Sequence, residues 1–415
     1  MIFTPLIVRP TESFRKDEAG WIYVHVAGSP HDIGYQVGTL LSAEIDDAQK
    51  ALRDELQHDT GKDWTYYRDS GQLFWNKVDP EYQAEIDGQA EALKAKGLPY
   101  DRWDVLAMND YIELSCYYLP WTQHRTVTKD SCSAFLATGN ETADGKVVIG
   151  QNFWWDYQTG ERFNVVLDVT PQKGHHFVMD CLPGFLHSGT DWAINDAGMV
   201  LTETTLPGIN DFDPNGVPEF VRMRKSVQYS QNIDDMVRIL KEGNNGGYAN
   251  TWLMADCKAN EIAKLELGLS HVALSRTKNG YYVGANFPED PGLIKDEIGG
   301  WDTNPATNGC ESRKLRWKQL LDGAKGRVDA TMAQNFLADI VNPTTKESGA
   351  TGFTLCNRSS GSGTNNAKVT TSDMVANMSF WGRMGFPDGG SISLSSSNRP
   401  YLRDIGPRPW FLFGK

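Results

Sequence analysis

Lys129-Asp130-Ser131-Cys132-Ser133-Ala134-Phe135-Leu136-Ala137-Thr138 is the stretch on which the fold turns. From Ser133 onward it alternates like a strand. A turn carrying Asn140 and Asp144-Gly145 follows. A second strand, Lys146 to Gln151, then delivers Asn152-Phe153-Trp154-Trp155-Asp156. Period-two patterning on either side of a Gly-containing turn is a β-hairpin signal. Cys132 heads the first strand and therefore sits at a sheet end. Its neighbours Ser131 and Ser133 are small and leave the thiol room to attack the backbone.

The texture differs on the two sides of this hairpin. Upstream, residues 21–27 alternate as a strand, and Gly28 to Asp32 turn into a helix. Ile33, Val37, Leu40, Leu41 and Ile45 form one apolar stripe, continued by Leu52 and Leu56. Further helices are expected over 81–96, stopped by Gly97, and over 101–117. Downstream, strands are expected at 133–138, 146–151, 163–169, 175–181, 190–195 and 198–204, the last two joined by the turn Asn195-Asp196-Ala197-Gly198. Helices at 217–230 and 232–242 follow, then strands at 251–256, 261–266, 271–276 and 280–285, then helices at 311–322 and 329–341. The Gly/Ser-rich tract 359–365 reads as loop, and 391–396 as a last edge strand. Strand sets separated by helix pairs predict an α+β fold of two stacked antiparallel sheets with outer helices. The expected organisation is a mainly helical segment, 1–131, and a sheet-rich core, 132–415, within one compact unit.

Composition narrows the function. Hydrophobic residues make up 40% of the 415, enough for a large core, and the net charge is −13. An acidic surface repels phosphates, which argues against nucleic-acid partners and against tight binding to anionic membranes. No apolar run is long enough to span a bilayer, and the N-terminal residues lack a signal-peptide pattern, so a cytoplasmic location is expected. Cys116, Cys132, Cys181, Cys257, Cys310 and Cys356 show no CxxC or Cys/His spacing. Buried free thiols are the simplest reading, and neither metal nor cofactor is implied.

A lone cysteine is usually inert and buried. The local signature of a papain-like Cys/His pair is absent here, and no spacing singles out His124 or His187 as a partner. A self-processed N-terminal nucleophile needs no histidine. The thiol of Cys132 attacks the carbonyl of Ser131, and water releases the resulting ester. The freed α-amine, with an ordinary pKa near ~8, then serves as base for its own thiol. Such a site also needs oxyanion donors, commonly Asn amides and backbone N–H groups.

Five pieces in order carry a family resemblance: Gly28-Ser29-Pro30-His31-Asp32-Ile33-Gly34-Tyr35-Gln36-Val37-Gly38; Cys132 to Leu136; Gly150-Gln151-Asn152-Phe153-Trp154; Thr202-Glu203-Thr204-Thr205; and Gly246 to Asp256 with Tyr248-Ala249-Asn250 inside it. The series resembles the phospholipase B-like proteins and the related C45 (penicillin acyltransferase-like) group, both N-terminal nucleophile (Ntn) hydrolases. The resemblance implies a four-layer αββα sandwich and autocleavage between Ser131 and Cys132. The two products would remain associated, and acyl transfer from a small-molecule amide or ester would pass through a Cys132 thioester. It implies Cys132 as nucleophile, Asn250 as oxyanion donor, Asn152 as an orienting group and Arg313 as part of the polar network at the thiol. Glu203, Thr204, Trp154 and Trp155 are implied as groups that hold the amine or line the pocket. Many C45 members carry an Asp two residues beyond the Asn of the second strand, where it binds the nucleophile's amine. Here that position is Trp154.

Two alternatives differ from an amide-cleaving enzyme. One is a phospholipase B-type deacylase of lipid esters. The other is a non-catalytic binding protein with a buried Cys132.

Overall fold

The computed structural model describes residues 12–125, 132–209, 211–394 and 399–414. Its strands in chain order are β1 (Phe14–Glu18), β2 (Trp21–Gly28), β3 (Ser133–Thr138), β4 (Val148–Asp156), β5 (Val165–Pro171), β6 (Phe177–Cys181), β7 (Ala193–Asn195) and β8 (Met199–Thr205). They continue as β9 (Asn250–Asp256), β10 (Glu261–Leu267), β11 (Val272–Thr277), β12 (Gly280–Gly284), β13 (Ser362–Thr371), β14 (Phe380–Met384) and β15 (Phe411–Phe413). A nine-stranded sheet runs β1-β2-β5-β6-β7-β8-β9-β10-β11, and a six-stranded sheet runs β12-β3-β4-β13-β14-β15. All pairings are antiparallel except β2 with β5.

Strand alternation builds the layers. Ala134 and Leu136 of β3 and Ile149 of β4 pack against Val166, Val178 and Leu253 of the large sheet. Their neighbours Phe135, Ala137 and Val148 face the other way, onto Trp317, Leu321 and Leu337 of the helices Gly309–Gly323 and Ala330–Leu337. On the far side of the large sheet, Val24, Leu167 and Met254 meet the N-terminal helices through Ile45, Leu52 and Met108. Two stacked sheets with helices outside are the expected α+β sandwich. The mainly helical N-terminal segment also gives β1 and β2 to the large sheet.

The helix after β2 shows how local sequence sets packing. Ser29 Oγ accepts from Asp32 N, the Asp32 carboxylate accepts from Ser29 N, and Pro30 occupies the first turn, where no N–H is needed. The stripe Ile33, Val37, Leu41, Ile45, Leu52 and Leu56 is buried. Instead of one continuous helix it spans two, Pro30–Leu40 and Ser42–Thr60, which meet at Leu41. The first of them lies directly against the helix Pro80–Ala95. A Cβ on Gly34 would fall 1.8 Å from the Glu85 carbonyl oxygen, and one on Gly88 2.1 Å from that of His31.

Three further expectations need correction. The tract 359–365 is not all loop, because β13 begins at Ser362 and lies centrally in the small sheet. Its interior face is polar: Lys368 Nζ donates to Asp180 Oδ2 at 2.7 Å and Asn366 Nδ2 to the same oxygen at 3.0 Å. A strand with polar residues facing inward lacks the apolar alternation that marks strands in sequence. Second, the edge strand expected at 391–396 is reduced to an isolated bridge, Ile392 with Ile405, and residues 395–396 lie outside the described residues. Third, the helix expected at 329–341 ends at Leu337.

Gly34→Ala should lower stability by about 1–3 kcal/mol, because the two helices must separate to admit the methyl group. Urea unfolding of the variant beside wild type measures this. An unchanged midpoint would contradict the tight crossing.

Candidate active site

Cys132 directly precedes β3 and is 1% exposed. Its φ is +74°, a left-handed conformation that non-glycine residues seldom adopt. Such a backbone persists only where neighbours hold it, and Arg313 does so here. Arg313 lies on the helix Gly309–Gly323 and is completely buried. Its Nη1 donates to the Cys132 carbonyl at 2.7 Å and to Asn286 Oδ1 at 3.0 Å. The guanidinium sits 4.3 Å from the Trp154 ring centre, a cation–π contact. Asn286 in turn donates to the Thr205 carbonyl at 2.9 Å, and Thr205 pairs with Asn250 across β8 and β9. One side chain thus ties the head of β3 to both sheets. Burial, then the charge of Glu203, pushes the Cys132 thiol well above its ordinary pKa, against a lowering by the nearby Trp154 backbone N–H, so it is a neutral thiol in the continuous chain. Ser131, the other half of the expected cleavage site, lies outside the described residues.

A second group is acidic. Glu203 on β8 is fully buried and accepts from Tyr248 Oη at 3.2 Å. The Asp191 carboxyl lies near enough for its titration to be linked with that of Glu203, and both Asp191 oxygens and Glu203 Oε2 are buried without a hydrogen-bond partner among the described residues. Burial, then the nearby Glu219, raises Glu203 to about 8 against a lowering by Asp191, and burial, then Glu203, raises Asp191 well above its ordinary value. Gln151, opposite Ala134 in the β3–β4 pairing, reaches the same region. Its amide donates to the carbonyls of Thr190 at 2.8 Å and Glu203 at 3.4 Å.

The remaining expected residues divide. Both amide atoms of Asn250 are buried and without a partner among the described residues, as is Thr204 Oγ1. A buried amide left unpaired costs about 1–3 kcal/mol per group, so its position calls for an explanation. Asn152 is placed otherwise than expected. It sits beside Cys132's strand, but its amide donates to the carbonyls of Leu337 and Leu355, both at 2.8 Å, and so anchors the outer helical layer to β4. Trp155 packs against Tyr111 and Phe153 in the cluster that also holds Cys132. His187 is buried and stacked on Phe185, and burial draws it down to about 3, leaving it neutral. His124 is exposed. Neither supplies a base for the thiol.

Asp191, Tyr248 and Asn286 are neighbours of the site that pattern reading missed. Asp191 and Asn286 sit in turns at φ +53° and +62°, where no periodicity marks them. Tyr248 stands inside the segment that carries Asn250. The six cysteines are free. Among the described residues, Glu55, Asp59 and Asp156 gather three carboxylates, with Glu55 already accepting from Thr159 Oγ1 at 2.7 Å. No described helix is long and apolar enough to cross a membrane.

These features define an α+β layered sandwich with a clamped, buried cysteine at the head of an inner strand. The chain belongs to the phospholipase B family, whose model matches residues 68–291. It is 27% identical over 312 residues to an uncharacterized protein of Archaeoglobus fulgidus, covering 68% of this chain and 51% of that one. It is 25% identical over 150 residues to the putative phospholipase B-like 2 of Rattus norvegicus, covering 32% of this chain and 25% of the relative. The corresponding Mus musculus protein is 27% identical over 145 residues, covering 31% and 24%. The chain thus aligns with about half of the archaeal relative and about a quarter of the rodent ones.

Glu203 makes stability depend on pH. The folded state keeps its proton up to about 8, whereas the unfolded chain loses it near the ordinary value of 4.5. The unfolded state therefore binds fewer protons across this window, and stability falls as pH rises through it. Glu113, raised to about 7, acts in the same direction. Glu203→Gln should flatten the decline between pH 4.5 and 8 without abolishing it, as read from urea midpoints across pH. An equally steep decline in the variant would contradict the assignment.

Proposed function

We propose that the protein is a self-processing cysteine hydrolase of the N-terminal nucleophile type, which removes or transfers an acyl group through a Cys132 thioester. The observation that carries this reading is the clamp on Cys132. A strained nucleophile candidate has its carbonyl fixed by Arg313, and Asn286, held by the same guanidinium, bonds Thr205, which pairs with an Asn250 whose amide has no partner among the described residues.

In this reading the Cys132 thiol attacks the Ser131 carbonyl and the peptide shifts to a thioester. Water then releases the segment 1–131, whose new C-terminus is a carboxylate, and frees the α-amine of Cys132. The segment stays in place, because β2 pairs with β5 from Ile22 to Gly28 and its helices cover the large sheet. During turnover the amine accepts the thiol proton and the thiolate attacks the substrate carbonyl. Asn250 donates to the oxyanion. Arg313 holds the Cys132 carbonyl, Asn152 fixes β4 beside it to the outer layer, and Trp154, Trp155, Thr204 and Glu203 border the reacting groups. The leaving amine or alcohol takes the proton, and water or a second acceptor discharges the thioester.

The preferred substrate class is a small N-acyl amide. A second reading, a lipid-ester deacylase, is favoured by the phospholipase B family match itself. Release of fatty acid from phospholipid vesicles, set against release of amine from N-acyl amides, separates the two.

Intact mass should resolve wild type into Met1–Ser131 and Cys132–Lys415, while Cys132→Ala remains one chain without activity. Cleavage and turnover surviving in Cys132→Ala would overturn the proposal. Asn250→Ala should process or turn over about 10²–10³ times more slowly, by the usual effect of removing an oxyanion donor. A rate within a few-fold of wild type would remove Asn250 from that role.

A further inference from the structure

The residue two positions beyond Asn152 is Trp154, and its indole faces Arg313. No carboxylate stands there to hold a free amine at Cys132. Asp156, the acid farther along β4, is half-buried at the strand end and groups with Glu55 and Asp59. The carboxyls whose charge reaches Cys132 come instead from the large sheet and the turn that precedes β7: Glu203 and Asp191. They lie on the strand and turn that Gln151 bridges to from the position opposite Ala134.

We infer that the Asp191–Glu203 carboxyl pair, with Tyr248 beside it, seats the α-ammonium of Cys132 once the chain is cleaved. This rests on the self-processing reading above. In the continuous chain burial holds both carboxyls toward their protonated, neutral forms, and both Asp191 oxygens and Glu203 Oε2 are buried without a hydrogen-bond partner among the described residues. Cleavage creates a neutral amine. That amine takes a proton from one carboxyl, giving one ammonium and one carboxylate, and the net charge of the buried site is unchanged. For attack the proton returns to the carboxylate, and the freed amine accepts the thiol proton. Tyr248 Oη, which already donates to Glu203 at 3.2 Å, supports that carboxyl as it ionises. The same exchange accounts for a costly pair of acids in a dry interior: the precursor is poised for a cation that it does not yet contain. Asp191 and Glu203 are thus positioning residues, acting on the base and not on the substrate. Lys368, Glu219 and the Cys132 thiol are the other ionisable groups felt by the pair. Lys368 is committed to Asp180 at 2.7 Å.

The test is the titration of the amine itself. Protein labelled with ¹⁵N at cysteine gives amide signals for its cysteines and, after cleavage, one amine signal from Cys132. Its chemical shift is followed against pH in wild type, Asp191→Asn, Glu203→Gln and Tyr248→Phe, with cleavage checked by intact mass. Removing an opposing charge at close range lowers an amine's midpoint by about 1–3 pH units. Asp191→Asn and Glu203→Gln should therefore titrate at least about one pH unit below wild type, and Tyr248→Phe by less. Cleaved variants whose amine titrates with wild type would overturn this inference and leave the self-processing reading intact. Folded variants that fail to cleave would put the pair in the cleavage step and also overturn its assignment to the amine. An uncleaved wild type would sink the self-processing reading, and this inference with it.

Discussion

A guanidinium cannot be left dry without partners. Burying a cation carries a penalty of several kcal/mol, offset only by well-placed acceptors. Arg313 is wholly buried, and beside the Cys310 sulfur on its own helix its partners are the Cys132 carbonyl, the Asn286 side chain and the face of Trp154. Each belongs to a different part of the chain, so satisfying this one group fixes the head of β3, the end of β12, the middle of β4 and the helix Gly309–Gly323 relative to one another. Asn286 extends the constraint to Thr205 and hence to the β8–β9 pair of the other sheet. The position of the cysteine follows from where that charge can be paired.

The interior between the sheets follows the same logic on a larger scale. Lys368 and Asp180, both fully buried, pair directly, and Asn366 and Thr190 add hydrogen bonds to both. Beyond them the balance turns acidic, with Glu203, Asp191 and Glu219 held toward their protonated forms by burial. An apolar core would have been easier to stabilise. Ionisable groups with displaced titration often gather where protons must be held and moved.

Much of this was legible in the chain. Strand and helix periods located β3, β8, β9 and β10 to within a residue or two, because apolar alternation and turn glycines act locally. Helix starts were equally readable at Ser29-Pro30, where the cap and the first turn are written in adjacent residues. Cys132, Asn250 and Arg313 were reached through a resemblance. Pattern alone gives no sign that Arg313 is buried, since its neighbours Lys314 and Arg316 are cationic. Asn152 shows the limit of motif transfer: its place on the strand beside Cys132 was correct, but strand alternation turned its amide to the helical layer.

The sequence by itself determined most elements between β2 and the helix that begins at Ala330, the layered α+β class and the cysteine at a strand head, because these depend on contacts between near neighbours. Tertiary structure alone decided that β13 is central, that Asp191 and Tyr248 meet Glu203, and that Asn286 relays Arg313 to the second sheet. Those groups are a dozen or more residues apart, and polar. What brings them together is the need of each buried donor, acceptor or charge for a partner, and that need leaves no periodic trace along the chain.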